Sequence, residues 1–287
     1  MCTRPSRQLL WQQVTLSFSA VPFIERPRHE AALLLAFVLG VEPLALLSAG
    51  EVEIQPAEEA LINAYAARRL AGEPLSRIKG VKEFWGLNFH ISSAVLDPRP
   101  DSETLIEAVL AAFPDKTQPL SMVDFGTGSG CLLLSLLHEY QQATGVGVDY
   151  SPAALRMAAF NAVELGFEKR ANFLASDWSA ALNGEFDVII SNPPYINSQD
   201  IAGLDVSVKN YDPLLALDGG GDGLAAYRLL LADCKRLLQP HGRVFFEIGY
   251  SQRQDLYPLI TMAGFEVAKC WQDLGGRDRI IEFYLPN

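Results

Sequence analysis

Asn192 stands between an apolar run and two prolines, in Ser191-Asn192-Pro193-Pro194-Tyr195. The run before it, Phe186 to Ile190, reads as a buried strand. Neither proline has an N–H for a ladder, so the chain must leave the sheet with Asn192 at its tip. In an open α/β sheet that end is where ligands bind. Asn and Pro are also ordinary turn residues, and the stretch alone reads equally as a strand terminator.

A second cluster is Asp124-Phe125-Gly126-Thr127-Gly128-Ser129-Gly130. Glycines at alternate positions let the backbone turn sharply and approach a ligand closely. The helix N-terminus behind them offers free N–H groups to an anion such as a carboxylate. The spacing is GxGxG, not the GxGxxG of a dinucleotide fingerprint, and no Lys-Ser or Lys-Thr makes a phosphate loop. Asp149 ends the next apolar run, where an acidic side chain hydrogen-bonds ribose hydroxyls. Its other reading, a helix cap, is a role Ser151 already fills. Asp177-Trp178 follows a third short run. It offers a carboxylate to an exocyclic amine and an indole that either packs on a purine or fills core. Four sites at the ends of four consecutive strands line one crevice, and the conjunction is more specific than any part.

The elements that hold these residues alternate strand and helix from Leu120 onward. Strands are expected at Met122–Phe125, Gly145–Val148, Asn172–Leu174, Phe186–Ile190 and Arg243–Ile248. Helices are expected at Cys131–Tyr140, Pro152–Leu165, Leu224–Leu238 and about Gln252–Ala263. This predicts a doubly wound, mostly parallel sheet. Phe265–Cys270 and Arg279–Tyr284 close it with little between them, so one runs antiparallel. Residues 1–76 read as helices only, with Arg28–Leu39 central to a small bundle and Pro56 early in a helix reaching about Leu70. Residues 77–96 alternate with period two about Gly86 and predict a β-hairpin linker. Asp97-Pro98-Arg99-Pro100-Asp101 follows as a stiff segment, and Asp101 or Ser102 can cap the next helix. Residues 97–287 form the sheet domain. The loop Asp218–Gly223, with four glycines in six residues, reads equally as a mobile edge of the crevice and as a simple surface turn.

The 287 residues carry 23 Lys and Arg against 34 Asp and Glu, a net charge of −11. That balance argues against unaided binding to a phosphate backbone and suits a small-molecule substrate or a basic protein partner. Cys2, Cys131, Cys234 and Cys270 lack CxxC spacing, and His29, His90, His138 and His241 lack metal-ligand spacing. Free thiols and no metal are therefore expected. Arg4 and Arg7 before Leu9-Leu10-Trp11 resemble a signal n-region, but Gln12 and Gln13 interrupt the apolar part. The longest apolar run, Ala31–Gly40, is too short for a bilayer. A cytoplasmic protein without a membrane segment is expected.

Glycines at 126, 128 and 130, Asp149, Asp177 and Asn-Pro-Pro-Tyr together resemble the class I S-adenosylmethionine-dependent methyltransferases, in the subset that methylates a planar nitrogen. Gly72-Glu73-Pro74-Leu75, Glu83-Phe84-Trp85-Gly86-Leu87, Pro98-Arg99-Pro100-Asp101-Ser102-Glu103, Ala216-Leu217-Asp218-Gly219-Gly220 and Asp278-Arg279 are similar to bacterial peptide chain release factor glutamine methyltransferases of the PrmC/HemK type. The resemblance runs from about Ala31 to Tyr284 and leaves the first 27 residues unassigned. Departures are Asp97 for an apolar residue, Asp101-Ser102-Glu103 for Glu-Thr-Glu, Asp212-Pro213 for Glu-Pro, and Ser76-Arg77 where an aromatic residue is common.

The resemblance implies a seven-stranded Rossmann-like methyltransferase sheet with an antiparallel edge strand and a small N-terminal helical domain for partner recognition. It implies S-adenosyl-L-methionine held by Gly126, Thr127, Gly128, Ser129, Gly130, Asp149, Asp177, Trp178 and Asn192, with S-adenosyl-L-homocysteine as product. Asn192 Oδ1 and the Pro193 carbonyl would accept both N–H groups of a substrate amide, with Pro194 beside them and Tyr195 packed on the amide plane. The partner implied is a release factor presenting Gln from a Gly-Gly-Gln loop to a monomeric enzyme. An amino-methyltransferase acting on adenine or guanine of nucleic acid is the main rival, but no Lys/Arg run exceeds a pair. An inactive docking scaffold predicts decay at Asn192 or Asp149, and both are intact. A metabolite methyltransferase has no need of the helical domain.

Overall fold

The computed structural model describes residues 6–48 and 52–286, so expectations touching Cys2 and Arg4 lie outside it. The chain forms two compact units, Met1–Gly80 with Val206–Tyr211, and Val81–Asp205 with Asp212–Asn287.

The first unit is helical, with α1 (Arg7–Ser19), α2 (Pro27–Leu39), α3 (Ala45–Ser48), α4 (Pro56–Leu70) and α5 (Leu75–Lys79). Phe18, Leu34, Leu35, Ile54 and Ile62 are fully buried and make its core. Pro56 takes the first helical position of α4, where its missing N–H costs nothing, and Glu58 accepts from the Gln55 N–H. The buried Arg69 pairs with Glu30 on α2 at 2.6 Å, so α4 and α2 are tied by charge as well as packing. Gly72 takes a left-handed φ of 96° after α4, and a Cβ there would meet Val206 Cγ1 at 2.9 Å. Val206 comes from a segment 134 positions further on, which therefore belongs to this unit's packing.

The second unit opens with the hairpin β1 (Val81–Phe84) and β2 (Leu87–His90). Trp85 and Gly86 between them have φ of 51° and 72°, the two left-handed residues of a type I′ turn. Trp85 has a Cβ and pays strain there. Its backbone N–H donates to Glu103 Oε1 at 2.9 Å and its indole N–H to Glu139 Oε1 at 2.8 Å. Phe84 and Phe89 are buried in this unit's own core, so the hairpin is part of the sheet domain rather than a free linker.

There follow α6 (Glu103–Ala112), β3 (Ser121–Phe125), α7 (Cys131–Glu139), β4 (Thr144–Asp149), α8 (Pro152–Glu164), β5 (Ala171–Ala175), β6 (Phe186–Ser191), α9 (Val206–Lys209, in the helical unit), α10 (Ala225–Leu237), β7 (Leu238–Glu247), α11 (Arg253–Met262), β8 (Glu266–Gln272) and β9 (Asp278–Tyr284). The seven-stranded sheet has the order β5-β4-β3-β6-β7-β9-β8. Its first five strands are parallel. The reversed strand, β9, runs antiparallel to both neighbours and lies one place in from the edge strand β8. Alternate residues face opposite layers: Met122, Val188 and Ile190 join one apolar cluster, and Val123, Phe125 and Ile189 the other. Strand order reverses between β3 and β6, which makes a crevice at their carboxyl ends.

Among the described residues no helix is long and apolar enough to cross a membrane. Among the same described residues no group of three or more His, Cys, Asp or Glu is placed to hold a metal. Cys131, Cys234 and Cys270 are free.

Candidate active site

Phe125 pairs with Ser191 across the β3–β6 ladder, so the glycine loop and Asn192 leave adjacent strands side by side. Between them lies a cavity of about 520 Å³, of the size that holds a small ligand. Gly126, Thr127, Gly128, Ser129, Asp149, Asp177, Trp178, Asn192 and Pro194 stand on its wall.

The glycine loop divides by role. Gly126 and Gly128 have φ of 72° and 57°, and a Cβ at either would meet nothing closer than 3.8 Å. Their faces open onto free space in which side chains would stand, a cradle for a ligand's backbone-close approach. Gly130, expected beside them, is off the wall. It caps α7 at φ 80°, and a Cβ there would press Leu134 at 3.2 Å and Ala158 at 3.3 Å. Its left-handed φ favours glycine, and the close approach of α8 adds to that preference.

Two carboxylates brace this loop. Thr127 Oγ1 donates to Asp124 Oδ2 at 2.7 Å, while Asp124 Oδ1 is buried without a hydrogen-bond partner. Burial pushes the Asp124 carboxyl up to about 7, against the opposing Thr127 hydrogen bond. Asp149 accepts from the Gly128 N–H at 2.9 Å and from the Ser151 N–H at 2.8 Å, so it ties the loop to the start of α8. Burial raises its pKa also, and those backbone N–H groups oppose the rise. Ser151 Oγ meanwhile accepts from Ala154 N–H as the helix cap.

The Asn-Pro-Pro-Tyr turn is held from behind. Ser191 Oγ donates to the Phe125 carbonyl at 2.8 Å. The loop 218–223, open in the sequence between a mobile edge and a surface turn, packs flat against the turn's backbone. Gly219 N–H donates to the Ile196 carbonyl at 2.8 Å, and Ile196 N–H to the Leu217 carbonyl at 3.0 Å. A Cβ on Gly219 would come within 2.7 Å of the Pro194 carbonyl oxygen, and one on Gly223 within 2.4 Å of the Tyr195 oxygen. Gln252 completes the brace: its Nε2 donates to the Tyr195 carbonyl at 3.0 Å and the Gly223 carbonyl at 3.1 Å, and its Oε1 accepts from Gly249 N–H.

Pro193 is buried, and neither it nor Tyr195 is on the cavity wall. The Tyr195 ring packs against the apolar cluster of the α10 layer, within electrostatic reach of Glu247, Arg279, Arg99 and Asp101. Burial raises its phenol pKa. The ring expected to stack on a substrate plane thus lies partly buried beside the cavity, packed on the core from behind the turn.

The segment after Pro98 shows why its pattern matters. Arg99 pairs with the buried Asp212 at 2.5 Å, Asp101 with Arg279 at 2.7 Å, and Glu103 receives the strained Trp85 N–H. Ser102 Oγ accepts from Asn192 Nδ2 at 3.3 Å. Ser102, Arg99 and Gln252 are site residues that motif reading did not assign, since each acts through a partner far along the chain.

S-adenosylmethionine, implied by the resemblance, fits these residues. The open cradle at Gly126 and Gly128, the Asp149 carboxylate on the wall and the half-buried Trp178 supply backbone approach, a hydroxyl acceptor and an aromatic face.

The PrmC N-terminal domain family model matches residues 10–80, and the Methyltransferase small domain family model matches residues 98–207. The release factor glutamine methyltransferase of Rhodospirillum rubrum is 45% identical over 258 residues, covering 90% of this chain and 79% of that one. That of Agrobacterium fabrum is 42% identical over 260 residues, covering 90% of both. Among solved structures, the T. thermophilus 16S rRNA N2 G1207 methyltransferase, in complex with AdoMet and guanosine, superposes with a TM-score of 0.52. It is 20% identical and the match covers 72% of this chain and 50% of that one, a likeness of fold.

Proposed function

Because the chain belongs to the release factor glutamine methyltransferase family, we propose that it methylates a release factor. The methyl group of S-adenosyl-L-methionine goes to the side-chain amide nitrogen of the glutamine in the Gly-Gly-Gln motif. One observation carries the reading: the glycine cradle and the Asn192 amide share a single cavity at the sheet's switch point.

When bound, the cofactor supplies a methyl group on a positive sulfur, open to in-line displacement, and leaves as S-adenosyl-L-homocysteine. The protein's task is the nucleophile. An amide nitrogen shares its lone pair with the carbonyl and attacks poorly. Asn192 Oδ1, on the wall, and the Pro193 carbonyl, reached at the turn between the wall residues Asn192 and Pro194, accept its two N–H groups, turn the nitrogen toward the methyl and stabilise the positive charge that develops on it. The Pro193 ring fixes its carbonyl direction. Tyr195 supports the turn from the core, and Gln252 fixes its carbonyl. Gly126, Gly128, Asp149, Asp177 and Trp178 hold the cofactor. The N-methylamide then loses its proton to water.

A net charge of −11 supports a basic-patched protein partner over nucleic acid. The setting is the cytoplasm and the working form a monomer. The test is incubation with labelled S-adenosylmethionine and purified release factor, with the modified residue mapped by mass spectrometry. Label on the Gly-Gly-Gln glutamine is expected. Label on an added nucleic acid, with none on that glutamine, favours an amino-methyltransferase of bases instead.

A further inference from the structure

The Asn192 amide has two ends of nearly equal shape, and only its hydrogen bonds decide which faces the cavity. A substrate amide presents N–H donors, so transfer needs the Oδ1 end outward. With the amide turned over, donors would face donors.

Behind Asn192 lies a short chain of groups from three elements. Asn192 Nδ2 donates to Ser102 Oγ at 3.3 Å. Ser102 sits just before α6, and its hydroxyl and the Asn192 amide both lie toward the Glu247 carboxyl and favour its ionised form. Glu247 is the last residue of β7, beside β6, where Phe246 pairs with Ser191. It is 1% exposed between the apolar Phe246 and Ile248, and its Oε2 has no hydrogen-bond partner. A carboxyl so placed costs stability and adds nothing to the packing of the strand. The fold nevertheless surrounds it with charge. Arg279 on β9 faces it while pairing with Asp101 at 2.7 Å and Asp273 at 2.9 Å.

We propose that Glu247 is a positioning residue for methyl transfer, fixing through Ser102 and Asn192 Nδ2 the orientation in which Asn192 presents Oδ1 to the substrate. The proposal rests on the methyl-transfer reading above. An ionised carboxylate only accepts, so both neighbours must donate toward it, and the direction of every bond in the chain is set. A protonated carboxyl is itself a donor and removes that constraint.

Protonation lies in an accessible range. Burial pushes Glu247 up to about 7, opposed by the Ser102 hydrogen bond and by Arg279, and reinforced by Asp101. Tyr195 after β6, Tyr227 on α10 and Cys131 at the start of α7 also face it, and all three are neutral at this pH because burial raises them. Two carboxyls here change charge near neutrality, and of them Glu247 is the one toward Asn192, while Asp124 holds Thr127 of the glycine loop. Turnover is expected to fall as the pH drops through about 7.

The test compares full-length wild type with Glu247→Gln, using labelled S-adenosylmethionine and purified release factor over a range from about pH 6 to 9. Expected for the variant are a kcat lowered about tenfold or more, KM for release factor and Kd for cofactor within about threefold, and loss of the acid limb. Glu247→Asp should restore part of the kcat and the limb. A Glu247→Gln enzyme with wild-type kcat and an unchanged pH profile overturns the proposal, as does a loss found entirely in cofactor Kd. Should Glu247→Gln not fold, Ser102→Ala decides: reduced kcat at unchanged KM supports the chain, and wild-type kcat overturns it. A wild-type protein that does not methylate the release factor refutes the functional reading instead.

Discussion

Gly219→Ala adds one methyl group where the Asn-Pro-Pro-Tyr backbone lies closest. The new Cβ would stand 2.7 Å from the Pro194 carbonyl oxygen and 2.8 Å from Tyr195 Cα. Both are backbone atoms, so no side chain can swing away. Restoring ordinary contact at about 3.4 Å requires a relative shift of about 0.7 Å. Gly219 has no left-handed φ, so the effect is contact alone. Misplacement of a reacting group by about 1 Å costs on the order of 100-fold in rate, and 0.7 Å scales to roughly 30-fold. Overpacking of this kind also costs about 1–3 kcal/mol of stability. The assay is single-turnover methyl transfer at saturating release factor and cofactor, with thermal unfolding in parallel. Gly221→Ala is the control, since nothing lies within 4 Å of its Cβ and it too has no left-handed φ. Wild-type rates for Gly219→Ala, or equal loss in Gly221→Ala, would refute the view that this loop braces the turn.

Other substitutions separate the roles of neighbouring residues. Asn192→Ala should abolish transfer while isothermal titration finds cofactor affinity within a few-fold of wild type. Asp149→Ala should weaken cofactor binding by about 1.5–3 kcal/mol, the worth of hydrogen bonds to a charged group, and raise Kd roughly 10- to 150-fold. Asp124→Asn tests linkage. The folded carboxyl titrates near 7 against 3.8 for the free side chain, so its contribution to stability is full below about 4 and lost as pH rises through about 7. The variant should flatten that slope in denaturant titrations between those pH values, and an unchanged slope would sink the assignment.

The strands and the cradle were readable because each is local. A short apolar run ending in glycine, aspartate or Asn-Pro carries its own stop signal, and Phe186 to Tyr195 shows both the strand and its end within ten positions. What could not be read is held by contacts between distant segments. Asn192 meets Ser102, 90 positions earlier, and Tyr195 meets Gln252, 57 positions later. No spacing encodes such pairs, so Glu247 stands in the sequence as a charge within the strand expected at Arg243–Ile248. The same holds for Gly130 and Gly219. Glycine content reports freedom of backbone, but not whether that freedom serves a ligand, a helix contact or a neighbouring turn. The place of β9 inside the sheet likewise follows from pairing with β7, which no local pattern announces.

The excursion of Val206–Tyr211 into the helical unit bears on how the molecule can be taken apart. The chain passes between the two units at Gly80/Val81, Asp205/Val206 and Tyr211/Asp212. The helical unit is therefore a two-piece object rather than a detachable N-terminal module. A truncation at Gly80 leaves it without the Val206 side chain that covers Gly72. A chimera that grafts a relative's helices onto this sheet must transplant residues 206–211 with them. That insert begins eleven positions after Tyr195, so exchanging the helical unit rewrites the stretch of chain that leads away from the Asn-Pro-Pro-Tyr turn.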